Sequence, residues 1–254
     1  MSSLIINRRQ ALVGGLASAM VLAGGMPLRA EPKRGGTLRV GMGTGSANDS
    51  LDPALAIDTF PILMNFGALR NCLTEVGPDG VLRPELAESW EVADGAKVWT
   101  FKIRKGVTFH DGRTLTPADV IATLRHHGGE SSKSTAKSII AGIDDMKADG
   151  DNVVITLKAG NADFAYLMSF YALGIMPAGG NGVEWEKGIG TGPYMLKDFQ
   201  PGVRVTFDRN PNYWKANAAY FDSVEMVAIR DTTTRQNALT TGDVDVIERL
   251  DPRT

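Results

Sequence analysis

Polar and apolar positions alternate from the first structured stretch onward. In Thr37-Leu38-Arg39-Val40-Gly41-Met42 the two-residue period predicts a strand. The same period returns at 98–103, where Trp99, Phe101 and Ile103 share one face and Val98, Thr100 and Lys102 the other, so the first face is expected to be buried. Segments 87–92 and 98–103 flank Asp94-Gly95, a hairpin signal, and Pro78-Asp79-Gly80 and Asp111-Gly112 mark further turns. A second hairpin is predicted for 194–199 and 203–207 around Pro201-Gly202, with further strands at 153–157, 224–229 and 244–247.

Helical periods interrupt these strands. Thr116-Pro117-Ala118-Asp119 predicts a helix start, with Thr116 as N-cap, Pro117 at the first helical position and Asp119 completing an acidic capping box. Val120, Ile121 and Leu124 then line one face. Other helices are predicted at 61–69, 135–140, 163–170 and 232–241, the last capped by Asp231 and closed by Gly242. Residues 43–50 are all small or polar, and 177–192 hold six glycines; both predict loops, the second a functional or hinge-adjacent one. Strands and helices without regular alternation predict a mixed α+β or α/β fold.

The first 30 residues do not fit that pattern. Arg8-Arg9 precedes an uncharged Gly- and Ala-rich run from Ala11 to Gly25, and Leu28-Arg29-Ala30 offers a cleavage site before Glu31. The run is shorter than the roughly 20 residues that span a bilayer. Its moderate hydrophobicity and paired arginines match a Tat-type signal peptide over 1–30 better than an ordinary Sec signal. Gly25 stands where a lipoprotein would carry the cysteine, so no membrane anchor is expected. The sole cysteine, Cys72, has no partner for an internal disulfide and is expected to be a small buried hydrophobe.

Composition narrows the class further. Removing Arg8, Arg9 and Arg29 with the signal takes the formal charge from −2 to −5, which argues against nucleic acid or anionic lipid as partner. At 43% hydrophobic and 22% charged residues, the chain has the composition of a globular protein with a real core.

Candidate chemistry is sparse. The histidines are His110, His126 and His127; the last two are helix neighbours pointing apart, and His110 beside a turn is expected to make a structural hydrogen bond. No Gly-x-Ser-x-Gly occurs, and no acid, base and nucleophile recur together, so no enzyme, metal site or cofactor is expected. Gly41-Met42-Gly43-Thr44-Gly45 follows a strand but lacks the Lys-Ser/Thr ending of a phosphate loop; a flexible cleft rim is the better reading. Tyr213-Trp214 is expected to belong to the core rather than to a stacking platform.

Six motifs recur in order: Leu51-Asp52-Pro53, the run from Pro84 to Glu91, the run from Gly106 to Gly112, Gly190-Thr191-Gly192-Pro193-Tyr194, Asn210-Pro211-Asn212-Tyr213-Trp214, and Gly242-Asp243-Val244-Asp245-Val246. Together they resemble the extracytoplasmic solute-binding proteins of peptide-type (dipeptide, oligopeptide, nickel) ABC transporters, over about Gly36 to Asp251. The resemblance implies a periplasmic-binding-protein-like first lobe over 31–254, with the second lobe missing, since members run to about twice this length.

It also implies a function. The chain would be a monomeric periplasmic protein that takes a peptide or similar small solute to an inner-membrane ABC permease, without chemistry. By the same resemblance, the residues after Leu51-Asp52-Pro53 and after Gly242–Val246 face the cleft, so Asp58, Thr59, Ile247 and Glu248 are the expected ligand contacts. A nickel chelate, haem, opine or oligosaccharide is the alternative ligand, and a truncated product that binds nothing is the alternative class. A single lobe is expected to fold in part, bind weakly and expose apolar surface.

Overall fold

The computed structural model describes residues 33–180 and 182–250, and the elements below lie in the unit Arg34–Thr254. The signal-peptide reading of 1–30 falls outside the described residues. The strands are β1 (Thr37–Met42), β2 (Thr74–Val76), β3 (Leu82–Pro84), β4 (Ala87–Ala93), β5 (Val98–Ile103), β6 (Ile143–Asp149), β7 (Asn152–Leu157), β8 (Ala178–Gly179), β9 (Gly182–Val183), β10 (Tyr194–Gln200), β11 (Arg204–Arg209), β12 (Ser223–Ala228) and β13 (Val246–Ile247). The helices are α1 (Thr59–Ile62), α2 (Pro117–Gly128), α3 (Lys137–Ala141), α4 (Phe164–Leu167) and α5 (Thr232–Thr241).

Two sheets carry two cores. The antiparallel sheet β4-β5-β7-β6 buries Trp99, Phe101, Ile103, Val153 and Ile155 in one cluster with Val120, Ile121 and Leu124 of α2. The buried face of β5 is the one its alternation predicts, and Trp99 stacks on Phe101 at 6.1 Å with Phe164 5.9 Å away. Each such side chain contributes about 1.5–3 kcal/mol on burial, so the face is set by its aromatics. The second sheet, β10-β11-β12-β1-β13, is antiparallel through β12 and parallel across β12, β1 and β13. Its Val205, Phe207, Val224 and Met226 pack with Phe60, Met64 and Leu69.

A buried polar junction joins the cores. The carboxylate of Glu85 accepts from Asn71 Nδ2 at 2.8 Å, from the Cys72 N–H at 3.0 Å and from Lys215 Nζ at 3.0 Å. Burial nevertheless raises its pKa above the ordinary value. Asn71 Oδ1 accepts from Thr191 Oγ1 at 3.1 Å and from Trp214 Nε1 at 3.4 Å. Asn210 Nδ2 donates to Gly192 O at 3.0 Å. His110 accepts at Nδ1 from the Gly190 N–H (3.3 Å) and faces Gly192 O with Nε2 (3.1 Å), which makes Nε2 the protonated nitrogen. Burial lowers its pKa to about 4, so the ring is neutral. Gly192 must be glycine, because a Cβ there would strike the backbone carbonyls of Ala68 and Leu69. Trp214 is half-buried against the first core, between Arg104 at 4.8 Å and Lys215 at 5.0 Å.

Local departures from the predicted elements have local causes. The helix expected at 61–69 starts at Thr59 and winds as a π-helix over Leu63–Leu69. Asn65 Nδ2 takes the Pro61 carbonyl (2.9 Å), and the Arg70 N–H reaches back five residues to Asn65 O (2.9 Å). At 163–170 only Phe164–Leu167 is helical, because Ser169 Oγ bonds Tyr166 O and the Phe170 N–H tightens onto Leu167 O. The glycine-rich 177–192 run forms the β8–β9 hairpin, held by Asp119 Oδ1 on the Ala178 N–H (2.7 Å) and by the Arg113–Glu184 ion pair (2.8 Å). The strand expected at 244–247 is confined to β13, because the Val244 N–H closes α5 on Ala238 O. The Thr116–Asp119 cap forms as predicted, with Asp119 Oδ2 accepting the Thr116 N–H at 2.8 Å. Cys72 is fully buried.

Candidate functional site

Three parallel strands end side by side. Met42 of β1 lies opposite Ala228 of β12, and Gly41 lies opposite Ile247 of β13. The chain leaves β12, crosses through α5 and returns on the other side of β1, so β1 sits where strand order reverses. Ligands of open α/β sheets bind outside the carboxyl ends of strands at such a point. Here that edge is formed by Gly43-Thr44, Ile229-Arg230 and Glu248-Arg249.

Side chains draw the edge together. The N-terminus of α1 is tied to it by the Phe60 N–H on Thr44 Oγ1 at 3.0 Å. Glu248 Oε2 accepts the Gly43 N–H at 2.9 Å, while the Glu248 N–H bonds Gly41 O at 2.9 Å. Beneath them Arg235, 4% exposed, donates to Ile229 O (2.6 Å), Arg230 O (3.2 Å) and Glu248 O (2.9 Å). One buried guanidinium thus clamps the ends of β12 and β13. It also explains Gly43: a Cβ there would stand 3.2 Å from the Arg235 guanidinium carbon.

The four expected contacts come from segments nearly two hundred residues apart and meet this edge to different degrees. Asp58 is exposed at the N-cap of α1 with its carboxylate uncommitted to the cap, and Thr59 is half-buried. Ile247 packs against Gly41. Glu248 is already engaged with Gly43, so part of its capacity is structural. Burial, opposed by the Ser46 N–H and reinforced by the Asp58 carboxylate, raises the pKa of Asp49. Apolar surface flanks the edge: Leu55 is 44%, Ile57 72% and Leu63 40% exposed.

Sequence reasoning missed Arg230, Arg235 and Arg249. The signal available was two arginines around the Asp231 cap and a third after the last strand, but only the crossing of β12 and β13 over β1 gathers them. It also missed the pair of His126 and Asp52, in which Nε2 lies 3.0 Å from both carboxylate oxygens. Burial pushes Asp52 up, yet His126 and the Ala54 N–H hold it below its ordinary pKa. This pair braces the segment leading to Asp58 against α2. Among the described residues no three His, Cys, Asp or Glu side chains gather to hold a metal ion, and no helix is long and apolar enough to cross a membrane.

An open edge that offers hydrogen bonds, charges and flanking apolar surface is suited to holding a small molecule against a mixed α/β lobe. That class is made specific by comparison. The chain belongs to the bacterial extracellular solute-binding proteins, family 5, whose model matches residues 81–254. It is 27% identical to a probable peptide ABC transporter periplasmic-binding protein of Sinorhizobium fredii over 96% of this chain and 49% of that one. Among solved structures, the periplasmic binding protein AgaA of A. tumefaciens R10, in complex with agropinic acid, matches with a TM-score of 0.76 and 31% identity, over 84% of this chain and 43% of that one. A nickel ABC transporter protein of Bacillus halodurans matches with a TM-score of 0.72 and 28% identity, over 85% and 44%. The chain spans about half or less of the length of the curated relatives it matches. Their fold, a periplasmic-binding-protein lobe of mixed α/β type, is the fold described above.

Proposed function

We propose that this chain provides a solute-binding face of an ABC importer's periplasmic receptor, which captures a peptide or similar small solute and delivers it to a membrane permease without chemistry. The observation that carries this reading is the open edge at the carboxyl ends of β12, β1 and β13, joined there by the N-terminus of α1. Asp58, Thr59, Ile247 and Glu248 contact the solute from that edge. Relatives named for peptides and oligopeptides support the ligand class. The likeness to AgaA supports an opine as second reading. Residues 1–30 act as a Tat-type export signal, and the exported protein is a monomer free in the periplasm, since Gly25 offers no thiol for a lipid.

A thermal melt of the purified chain, with and without a pool of di- and oligopeptides, tests the reading. A ligand that binds only the native state raises Tm by mass action. A peptide-dependent rise supports peptide capture; a rise with agropinic acid alone replaces peptide by opine. An unshifted transition with both removes solute capture by this chain. Export is tested separately: replacing Arg8 and Arg9 by lysine leaves the protein in the cytoplasmic fraction if the Tat reading holds.

A further inference from the structure

We propose that the solute at this edge is anchored by a carboxylate seated over Gly43 between Arg230 and Arg249. The proposal deepens the solute-binding reading and rests on it. A depression of about 280 Å³ opens at the strand ends, lined by Gly43, Thr44, Arg230, Arg235, Glu248 and Arg249 among others. Its lining holds three arginines and a single carboxylate, Glu248, which pairs with Arg249 at 3.7 Å.

The imbalance begins below the surface. Arg235 is 4% exposed, yet its hydrogen bonds go to the backbone carbonyls of Ile229, Arg230, Glu248 and Arg249, and no carboxylate lies within ion-pair distance of it among the described residues. Buried charges in proteins are normally paired with an opposite charge. Carbonyls satisfy the donors of Arg235, and its charge is met only at Coulombic range, by Asp231. Glycine at 43 keeps the cover thin, so the positive charge lies one backbone layer beneath the depression.

The rim repeats the sign. Arg230 makes no side-chain hydrogen bond or ion pair among the described residues; Asp49 acts on it only at Coulombic range. Arg249 is 80% exposed in its side chain, makes a long 3.7 Å ion pair with Glu248 through Nε alone, and holds a left-handed backbone conformation at φ 55. A non-glycine residue in that region marks a position the surrounding structure imposes. Glu248 is turned onto the Gly43 N–H and is 12% exposed in its side chain. Asp231, beside Arg230 in sequence, is occupied in capping the Thr234 N–H at 2.8 Å. The remaining demand is for an anion. Guanidinium forks match the planar carboxylate two bonds at a time, and the hydroxyl of Thr44 at the same rim supplies a further donor.

The test uses the full chain and probes that differ only in charge. Trialanine is compared with its C-terminal amide, and succinate with succinamide, at constant ionic strength by calorimetric titration. Each acid is expected to bind at least about tenfold more tightly than its amide, the worth of a charge-assisted bidentate contact. Arg249→Gln and Arg230→Gln, both on exposed side chains, are expected to remove that preference while leaving Tm unchanged. Acid and amide binding equally overturns the carboxylate anchor and leaves the solute site standing. Succinate binding without trialanine keeps the anchor and removes the peptide reading. Binding by none of the four overturns the anchor, and the solute reading then stands or falls with the peptide and agropinic acid melts.

Discussion

The buried junction around Asn71, Glu85, His110 and Gly192 and the open edge around Gly43, Arg230 and Glu248 are built from similar residues put to opposite uses. In the junction, charged and polar groups are enclosed and mutually satisfied: Glu85 meets Lys215, Asn71 meets Thr191, and His110 bridges two glycines as a neutral ring. At the edge, three arginines and one carboxylate line the depression, the Asp58 carboxylate stands exposed, and apolar residues are uncovered. The motifs by which the family is recognised lie mostly in the junction. They are scaffold: each positions backbone against backbone, and none of them faces the depression. The edge is assembled from residues that carry no motif of their own, which is why family membership was easier to read than ligand.

Breaking the junction should cost most. Gly192→Ala drives a methyl group into two backbone carbonyls that cannot move independently, and is expected to destabilise the chain by about 3 kcal/mol or more. Gly180→Ala, with open space around it, should change nothing. Urea unfolding of the two variants makes the comparison. Glu85→Ala leaves Lys215 without its more buried partner and two donors unmatched, at an expected cost of about 3 kcal/mol in the same assay.

Acid should come next. His110 and His127 have pKa values lowered to about 4, each first by burial. In the unfolded chain both titrate near their ordinary value of about 6.5. The unfolded state therefore binds more protons between these limits. Their contribution is complete above about pH 6.5 and is lost as pH falls towards 4, by roughly 2–3 kcal/mol for each. Glu85, raised by burial, acts in the opposite sense, because its contribution is greatest in acid. A series of urea melts from pH 7 to pH 4 should fall, and His127→Asn should flatten the slope.

The edge should respond least in stability and most in binding. Asp58→Ala removes no cap hydrogen bond from an exposed side chain and should leave Tm unchanged, and Thr59→Ala should change it little, while each weakens solute binding about tenfold if one hydrogen bond is lost. A large drop in Tm with no effect on binding would reverse the contrast between the two regions and place Asp58 and Thr59 in the scaffold.

Much of the fold was legible from the sequence. Strand β5 was readable because three large apolar residues repeat every second position, and α2 because Thr116, Pro117 and Asp119 each favour a helix start for a separate physical reason. Helix α5 was readable to the residue, with Asp231 accepting the Thr234 N–H and Gly242 left-handed at its end. The π-helix was not, because it depends on Asn65 taking a carbonyl that helical periodicity would assign to the backbone. Of the candidate site, Asp58 and Thr59 could be proposed only through the resemblance, since nothing in their spacing marks them.

The sequence by itself determined what depends on neighbours along the chain: the faces of strands, the caps of helices, the turns, and the ordered motifs of the family. Only the tertiary structure decided that β13 lies against β1 on the side opposite β12, and so that Arg230, Arg235 and Arg249 come to line one depression with Gly43. The reason is physical. Local conformation follows from steric and hydrogen-bonding preferences within a few residues, whereas an electrostatic site is a sum over charges whose separations are set by how distant strands pair.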